Sequence, residues 1–302
     1  MVKTPDFKIE VNGKDKTSDI KKHIKSISLK DESDSKSDNL TLNFDNLFKR
    51  PAYNDEIKIW LGYTDELYFC GTFLVQTTTK NQTSISVSAT SVDFLDKKDK
   101  KNESYENIKV CDLVKKLADR NGLNCKCNID GFFKHIAQTN ESDTSFLNRI
   151  AKMFNATFNI KNNTIIFLDK QDDLPTFEVK KDEVSNYSIK YANKTLYKSV
   201  RAIWHDTKEN KLKSAVFGDG EPEFQAQDIF KDENEARNRA KGILSFLNMG
   251  IKTGNLTIPG RNIIAGGILK LSGFGEDDGE YTINSVSHSV SDKYTVRVVF
   301  GN

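Results

Sequence analysis

The chain has 302 residues, 37% of them hydrophobic and 29% charged, with a formal net charge of +2 at pH 7. That length exceeds the usual single compact domain, so two or three modules are expected, each lean in core residues. The near-neutral balance supplies no global field for nucleic acid or an anionic membrane, and no run reaches membrane-spanning length.

Met1-Val2-Lys3-Thr4-Pro5-Asp6 lacks the apolar core of a secretory signal, so export by the general route is not expected. The four cysteines, Cys70, Cys111, Cys125 and Cys127, are too few for a disulfide framework in a chain of this size. Cys125 and Cys127 share one face of an expected strand, but no histidine or third thiol stands near them with ligand spacing. The expectation is a metal-free protein folding in a reducing cytoplasm.

Residues 1–95 alternate with period two. Phe7, Ile9 and Val11, then Leu40, Leu42 and Phe44, then Ile57, Ile59 and Leu61, then Ile85, Val87 and Ala89 each mark one face of a strand. Asn12-Gly13, Pro51, Gly62, Gly71 and Asn81 bound these runs. Short strands at this spacing predict a compact antiparallel sheet or barrel. From Asp96 to Glu103 lysines interleave with acids, which reads as a solvated linker rather than a phosphate contact.

Residues 96–172 read as an α/β insert. Val110, Leu113, Val114, Leu117 and Ala118 form a helical stripe that Asn121-Gly122 stops. Short strands are expected around Leu123 to Cys127. The stretch from Gln138 to Asn155 reads as a capped amphipathic helix, with Asn140 or Ser142 at the N-cap. Its apolar face carries Phe146, Leu147, Ile150, Ala151 and Phe154. Phe158 and Ile160 return as Ile165 and Phe167 across Asn162-Asn163, a hairpin.

Residues 173–302 return to β. Phe177 and Val179 are expected to pair with Tyr187, Ile189 and Tyr191, followed by strands over 200–204 and 212–217. Asp232 and Glu235 open a helix over 232–248, lined by Ala236, Ala240, Ile243, Leu244 and Leu247. Asp55-Glu56-Ile57-Lys58-Ile59-Trp60-Leu61-Gly62-Tyr63 resembles Gly267-Ile268-Leu269-Lys270-Leu271-Ser272-Gly273-Phe274, and each leads through an acidic turn into two further strands. The expected fold class is therefore mainly β: two related antiparallel β-barrel domains, 1–95 and 173–302, around a small α/β domain, 96–172.

No grouping supports catalysis. His23, His135, His205 and His288 are scattered without a companion nucleophile and read as surface residues. Gly218-Asp219-Gly220 and Gly273-Phe274-Gly275 lack the strand–loop–helix setting of a phosphate cradle. Asp277-Asp278-Gly279-Glu280 lacks the spaced ligands of a calcium loop. Asp31-Glu32 and Asp172-Asp173 lie in apparent loops, with no apolar setting to split their pKa values. Basic-aromatic runs over 191–198 and 197–204 would suit stacking on bases, but at strand period these rings read as core. No catalytic, cofactor-binding or metal-binding residue is expected.

The string Gln138-Thr139-Asn140-Glu141-Ser142-Asp143-Thr144-Ser145-Phe146-Leu147-Asn148-Arg149-Ile150-Ala151 resembles the Q-x-x-E-S-D-x-x-F-L-x-R-I/L-A segment of the phage late-control D proteins. These are hub proteins of contractile tails, related to the amino-terminal part of the type VI secretion protein VgrG. Ile258-Pro259-Gly260 with Gly266-Gly267, and then Gly273, Gly275 and Gly279, resemble that family's P-G-x-x-x-x-x-G strand entry and late glycine turns. Asp143, Phe146, Leu147, Pro259, Gly260, Gly266, Gly267, Gly273, Gly275 and Gly279 are thus the signature positions, with structural roles. Tyr281 and Tyr294 stand where the family often has tryptophan.

The resemblance implies a virion baseplate hub, assembled in the bacterial cytoplasm. It would be a homotrimer whose paired barrels join a six-fold tail tube to a three-fold spike. Its partners would be a separate trimeric spike, the tube or its initiator, and other baseplate subunits. No specific nucleic-acid binding, membrane insertion or cofactor is implied. The rival readings are the hub of a non-phage contractile injection system, a baseplate-associated cell-wall hydrolase, and a carbohydrate-binding adhesin.

Overall fold

The computed structural model describes residues 3–33, 38–91, 99–154, 156–161, 164–169, 174–193, 196–248 and 250–301. Asp96 to Lys98 of the expected linker, Asn155 at the end of the signature helix, the Asn162-Asn163 turn and Asp172-Asp173 lie outside the described residues.

In chain order the first segment forms β1 (Pro5–Val11), β2 (Lys14–Asp15), α1 (Thr17–Lys21), β3 (Ile24–Glu32), β4 (Asn39–Asp45), β5 (Glu56–Tyr63), β6 (Glu66–Lys80) and β7 (Ser84–Ser91). Next come β8 (Lys101–Lys109), α2 (Val110–Arg120), β9 (Asn124–Cys127), β10 (Phe132–Glu141), α3 (Asp143–Phe154), β11 (Ala156–Lys161) and β12 (Thr164–Asp169). Then follow β13 (Thr176–Lys180), β14 (Asn186–Tyr191), β15 (Ser199–Asp206), β16 (Lys211–Gly218), β17 (Glu223–Phe230) and α4 (Glu233–Leu247). The chain closes with β18 (Lys252–Pro259), β19 (Ile268–Ser272), β20 (Gly279–Val290) and β21 (Tyr294–Gly301).

Met1–Phe94, Pro175–Ile189 and Thr253–Gly301 form one compact unit, and Leu95–Leu174 with Lys190–Lys252 form another. The expected 173–302 segment is thus shared between them. Strand pairing supplies the reason. β14 and β18 are hydrogen-bonded neighbours, so the excursion from 190 to 252 leaves the sheet and re-enters it one strand away.

The first unit is one sheet of 13 strands. Its halves repeat one pairing order: β1-β5-β6-β7-β4-β3 is matched by β13-β19-β20-β21-β18-β14. β5–β7 and β19–β21 are both antiparallel meanders, in which the second strand bulges against the third, near Gln76 and near Asn284. A bulge sharpens the local twist and bends the strand, which curls a sheet. β20 pairs with β3 from Val290↔Ile27 to Ser285↔Glu32, so the halves share one sheet. They also share one core, in which Ile9, Leu40, Ile59 and Ile85 are packed in the same cluster as Leu256, Val296, Val298 and Phe300.

One pairing and one loop reading differ from expectation. Phe177 and Val179 lie opposite Leu269 and Leu271 in a parallel β13–β19 pair, not opposite β14. A 3-10 turn over Lys181–Glu183 redirects the chain between β13 and β14. Asp31 and Glu32, read as loop residues, are buried at the end of β3, where Asp31 Oδ2 accepts from the Ala265 N–H at 2.9 Å.

The second unit combines a β8–β10 pair, a β11-β12-β9 sheet and a β16-β15-β17 sheet. Phe158↔Phe167 and Ile160↔Ile165 pair as the alternation required. α2 ends as its sequence directs, with Gly122 at φ 66° and the Leu123 N–H bonded to the Ala118 carbonyl. α4 is capped by Asp232, which accepts from the Glu235 N–H at 2.9 Å. Its Ala236 and Ala240 are fully buried against β15 to β17.

Three expectations are corrected in this unit. Lys101, Asn102 and Glu103 belong to β8 rather than to a solvated linker, because β10 supplies them a partner. For the same reason Gln138 to Glu141 extend β10, and α3 begins only at Asp143 with Ser142 at its cap, accepting from the Ser145 N–H. Cys111 and Cys127, expected as free thiols, form a disulfide because α2 packs on β9 and brings their Cα atoms to 5.5 Å.

Candidate functional site

The signature string folds around one buried carboxylate. Asp143 opens α3, where the helix N-terminus favours a negative charge, and only 4% of its surface is exposed. It accepts from Gln138 Nε2 at 2.9 Å, Asn121 Nδ2 at 2.8 Å and Arg120 Nε at 3.1 Å, and Arg120 Nη2 closes the fork. Lys101 Nζ lies 3.4 Å away. One side chain therefore ties β8, α2, β10 and α3 together.

Burial alone would push the Asp143 carboxyl up. The donors Gln138, Asn121 and Arg120 outweigh it and hold Asp143 below the usual carboxylate range. Arg120 turns its remaining edge to Glu103, Nη1 to Oε1 at 2.6 Å, and Glu103 accepts from the Tyr105 hydroxyl at 2.6 Å. Burial, and then that carboxylate, push the Tyr105 phenol up to about 12.

Gln138, Glu141 and Arg149 of the string are committed in the same way. Gln138 Nε2 also donates to the Glu141 carbonyl at 3.0 Å, and Arg149 donates to Glu141 Oε1 and to the Ala137 carbonyl, both at 2.6 Å. Phe146 and Leu147 are buried beneath them. A carboxylate filled with donors and held anionic has neither a proton to give nor a free lone pair to take one. The arrangement clamps a local fold.

The remaining signature positions belong to the first unit. Pro259 ends β18 opposite Thr295. A Cβ at Gly260 would lie 1.9 Å from the Tyr294 ring, so no other residue fits without moving it. Gly266, at φ 83°, donates to the Ile283 carbonyl, and Gly267 packs on Phe177 and the Pro175 carbonyl. Gly273, Gly275 and Gly279 shape the turn between β19 and β20, which includes the expected acidic hairpin. The structure brings Asp143, Phe146 and Leu147 together on one helix and the proline and glycines around the last strands.

Around Tyr294 stands a group that spacing did not reveal. His288, expected on the surface, is 3% exposed. Its Nδ1 lies 2.8 Å from the Tyr294 hydroxyl, and the ring also meets the Ile263 backbone. The Tyr68 hydroxyl touches that of Tyr294 and donates to the Arg261 carbonyl at 3.1 Å. Burial lowers the His288 pKa to about 4. Likewise Arg120, Asn121 and Lys101 carry no mark in the sequence of serving Asp143, from which they lie 22 to 42 residues away.

Among the described residues no set of three metal-ligating side chains converges, and no described helix is long and apolar enough to cross a membrane. Fold and signature together define a mostly antiparallel β protein. Residues 54–294 match the family model of the phage tail baseplate hub (GPD), and the chain belongs to that family.

A probable baseplate hub protein of Escherichia phage 186 is 25% identical over 225 residues, 68% of this chain and 58% of the relative. This chain thus spans about three fifths of the phage relatives it matches. The tail protein from Neisseria meningitidis MC58 shares the fold at a TM-score of 0.72 and 12% identity, over 99% of this chain and 97% of that one. The Escherichia coli c3393 protein, a component of the type VI secretion system, does so at 0.58 and 14% identity, over 97% and 76%.

Proposed function

We propose that this chain acts as a trimeric baseplate hub that joins a six-fold tail tube to a three-fold spike carried on a separate polypeptide. The observation that carries the reading is the repeated pairing order in the first unit, where β5–β7 and β19–β21 occupy equivalent places. Two equivalent halves per chain become six around an axis only when three chains close a ring. The tube or its initiator would meet the six-fold side, and other baseplate subunits the outside. The signature residues Asp143, Phe146, Leu147, Pro259, Gly260, Gly266, Gly267, Gly273, Gly275 and Gly279 serve in this reading as fold-setting positions, with no catalytic part.

Native mass measurement of the purified chain, alone and with its spike, tests the proposal. A trimer, or a monomer driven to a trimer by the spike, supports it. A stable dimer or hexamer at every concentration overturns it.

A further inference from the structure

Arg239, on α4, is 7% exposed. Its guanidinium carbon lies 4.1 Å from the ring centre of Phe154, on α3, and 5.2 Å from that of Phe133, on β10. These contacts account for the stem and faces of the group but not for its N–H edges. Nε and Nη1 have no hydrogen-bond partner among the described residues. Each belongs to a different N–H fork of the guanidinium, so neither fork is closed by an oxygen. Buried polar groups are nearly always satisfied, and a buried charge without a partner is costly.

Arg239 lines a cavity of about 430 Å³ in the second unit, walled in part by Phe133 and Met153. Lys134 and Lys231 add positive charge to its lining, and Asp228 and Glu235 add negative charge. The two histidines of the lining have partners of their own, His135 at Ser104 and His205 at Asn210. Lys231 is engaged by Asp232 at 4.0 Å, whereas both forks of Arg239 stay open. A planar anion of single charge fits the guanidinium fork. A phosphate dianion would add a second negative charge beside Asp228 and Glu235.

We propose that this cavity binds a carboxylate group and that Arg239 supplies the fork that receives it. The carboxylate is either the acidic side chain of a bound polypeptide or a free organic acid. The site stands independently of the oligomeric state argued above.

The test uses the whole chain labelled with ¹⁵N-arginine, following the Arg239 Nε–H resonance assigned through Arg239→Lys. Sodium acetate, an acetyl-Gly-Asp-Gly-amide peptide and inorganic phosphate are titrated against sodium chloride of equal ionic strength. The expected result is a saturable shift with acetate that chloride does not produce, tightened several-fold in Asp228→Asn, where an exposed negative charge is removed. Peptide binding about tenfold tighter than acetate assigns the site to a polypeptide carboxylate, and binding no tighter than acetate assigns it to a free acid. The proposal is overturned if acetate and peptide behave as chloride does, if phosphate saturates first, or if Asp228→Asn leaves the acetate titration unchanged.

Discussion

A carboxylate that organises four elements is expected to be costly to remove. Asp143→Ala would take the acceptor from buried Gln138 and the carboxylate from half-buried Arg120 and Lys101, a change worth about 1–3 kcal/mol. Chemical denaturation should show that loss, and Asp143→Asn should recover only part of it, because it restores the shape without the charge. His288 makes a prediction in pH. Its folded pKa is about 4, below the ordinary 6.5, so the unfolded chain binds the extra proton between those values. The stabilisation is therefore complete above pH 6.5 and is lost as pH falls towards 4, by at most about 3 kcal/mol. His288→Gln, read by thermal unfolding across that window, should flatten the slope. An unchanged slope would show that other groups govern the acid limb.

α3 and the disulfide are testable as elements. Phe146 and Leu147 are 0% and 1% exposed, so replacing either by alanine should cost about 2–5 kcal/mol. Amide exchange should then rise across β10, α3 and β11 while β1 to β7 keep their protection. Uniform acceleration would mean that the two units unfold together. The Cys111–Cys127 bridge closes 16 residues, a loop whose constraint in the unfolded chain is worth about 3 kcal/mol. Reduction should lower the melting temperature, and a Cys111→Ser, Cys127→Ser double variant should match the reduced protein and ignore reductant.

For the whole molecule the net charge of +2 matters more than any local run of lysine. A hub that lets DNA or a tape-measure protein pass should hold phosphate weakly, since a binding channel would stall transport. Duplex DNA is expected to bind with a dissociation constant on the order of 10⁻⁴ M or weaker at physiological salt. An anisotropy titration that returned micromolar affinity with a steep salt slope would contradict that expectation. Lys101 already argues for the weaker binding, because its ammonium faces Asp143.

Period-two runs at 7–11, 40–44, 57–61 and 85–89 declared their strands, since a half-buried strand must alternate. α2 and α4 were equally plain from their caps and stripes, as was the Phe158–Phe167 hairpin. The faint likeness of 55–63 to 267–274 was a true guide to β5 and β19. What stayed hidden depends on partners distant in sequence. β8 and β17 are polar strands with weak alternation, and they are strands because β10 and β15 pair with them. β13 was visible as a strand, but its partner β19 lies some ninety residues on. The Cys111–Cys127 bond, the burial of His288 and the donors around Asp143 likewise exist only after packing. Local periodicity reports which face of an element is apolar. It carries no record of which distant backbone edge, thiol or guanidinium the folded chain will set against it.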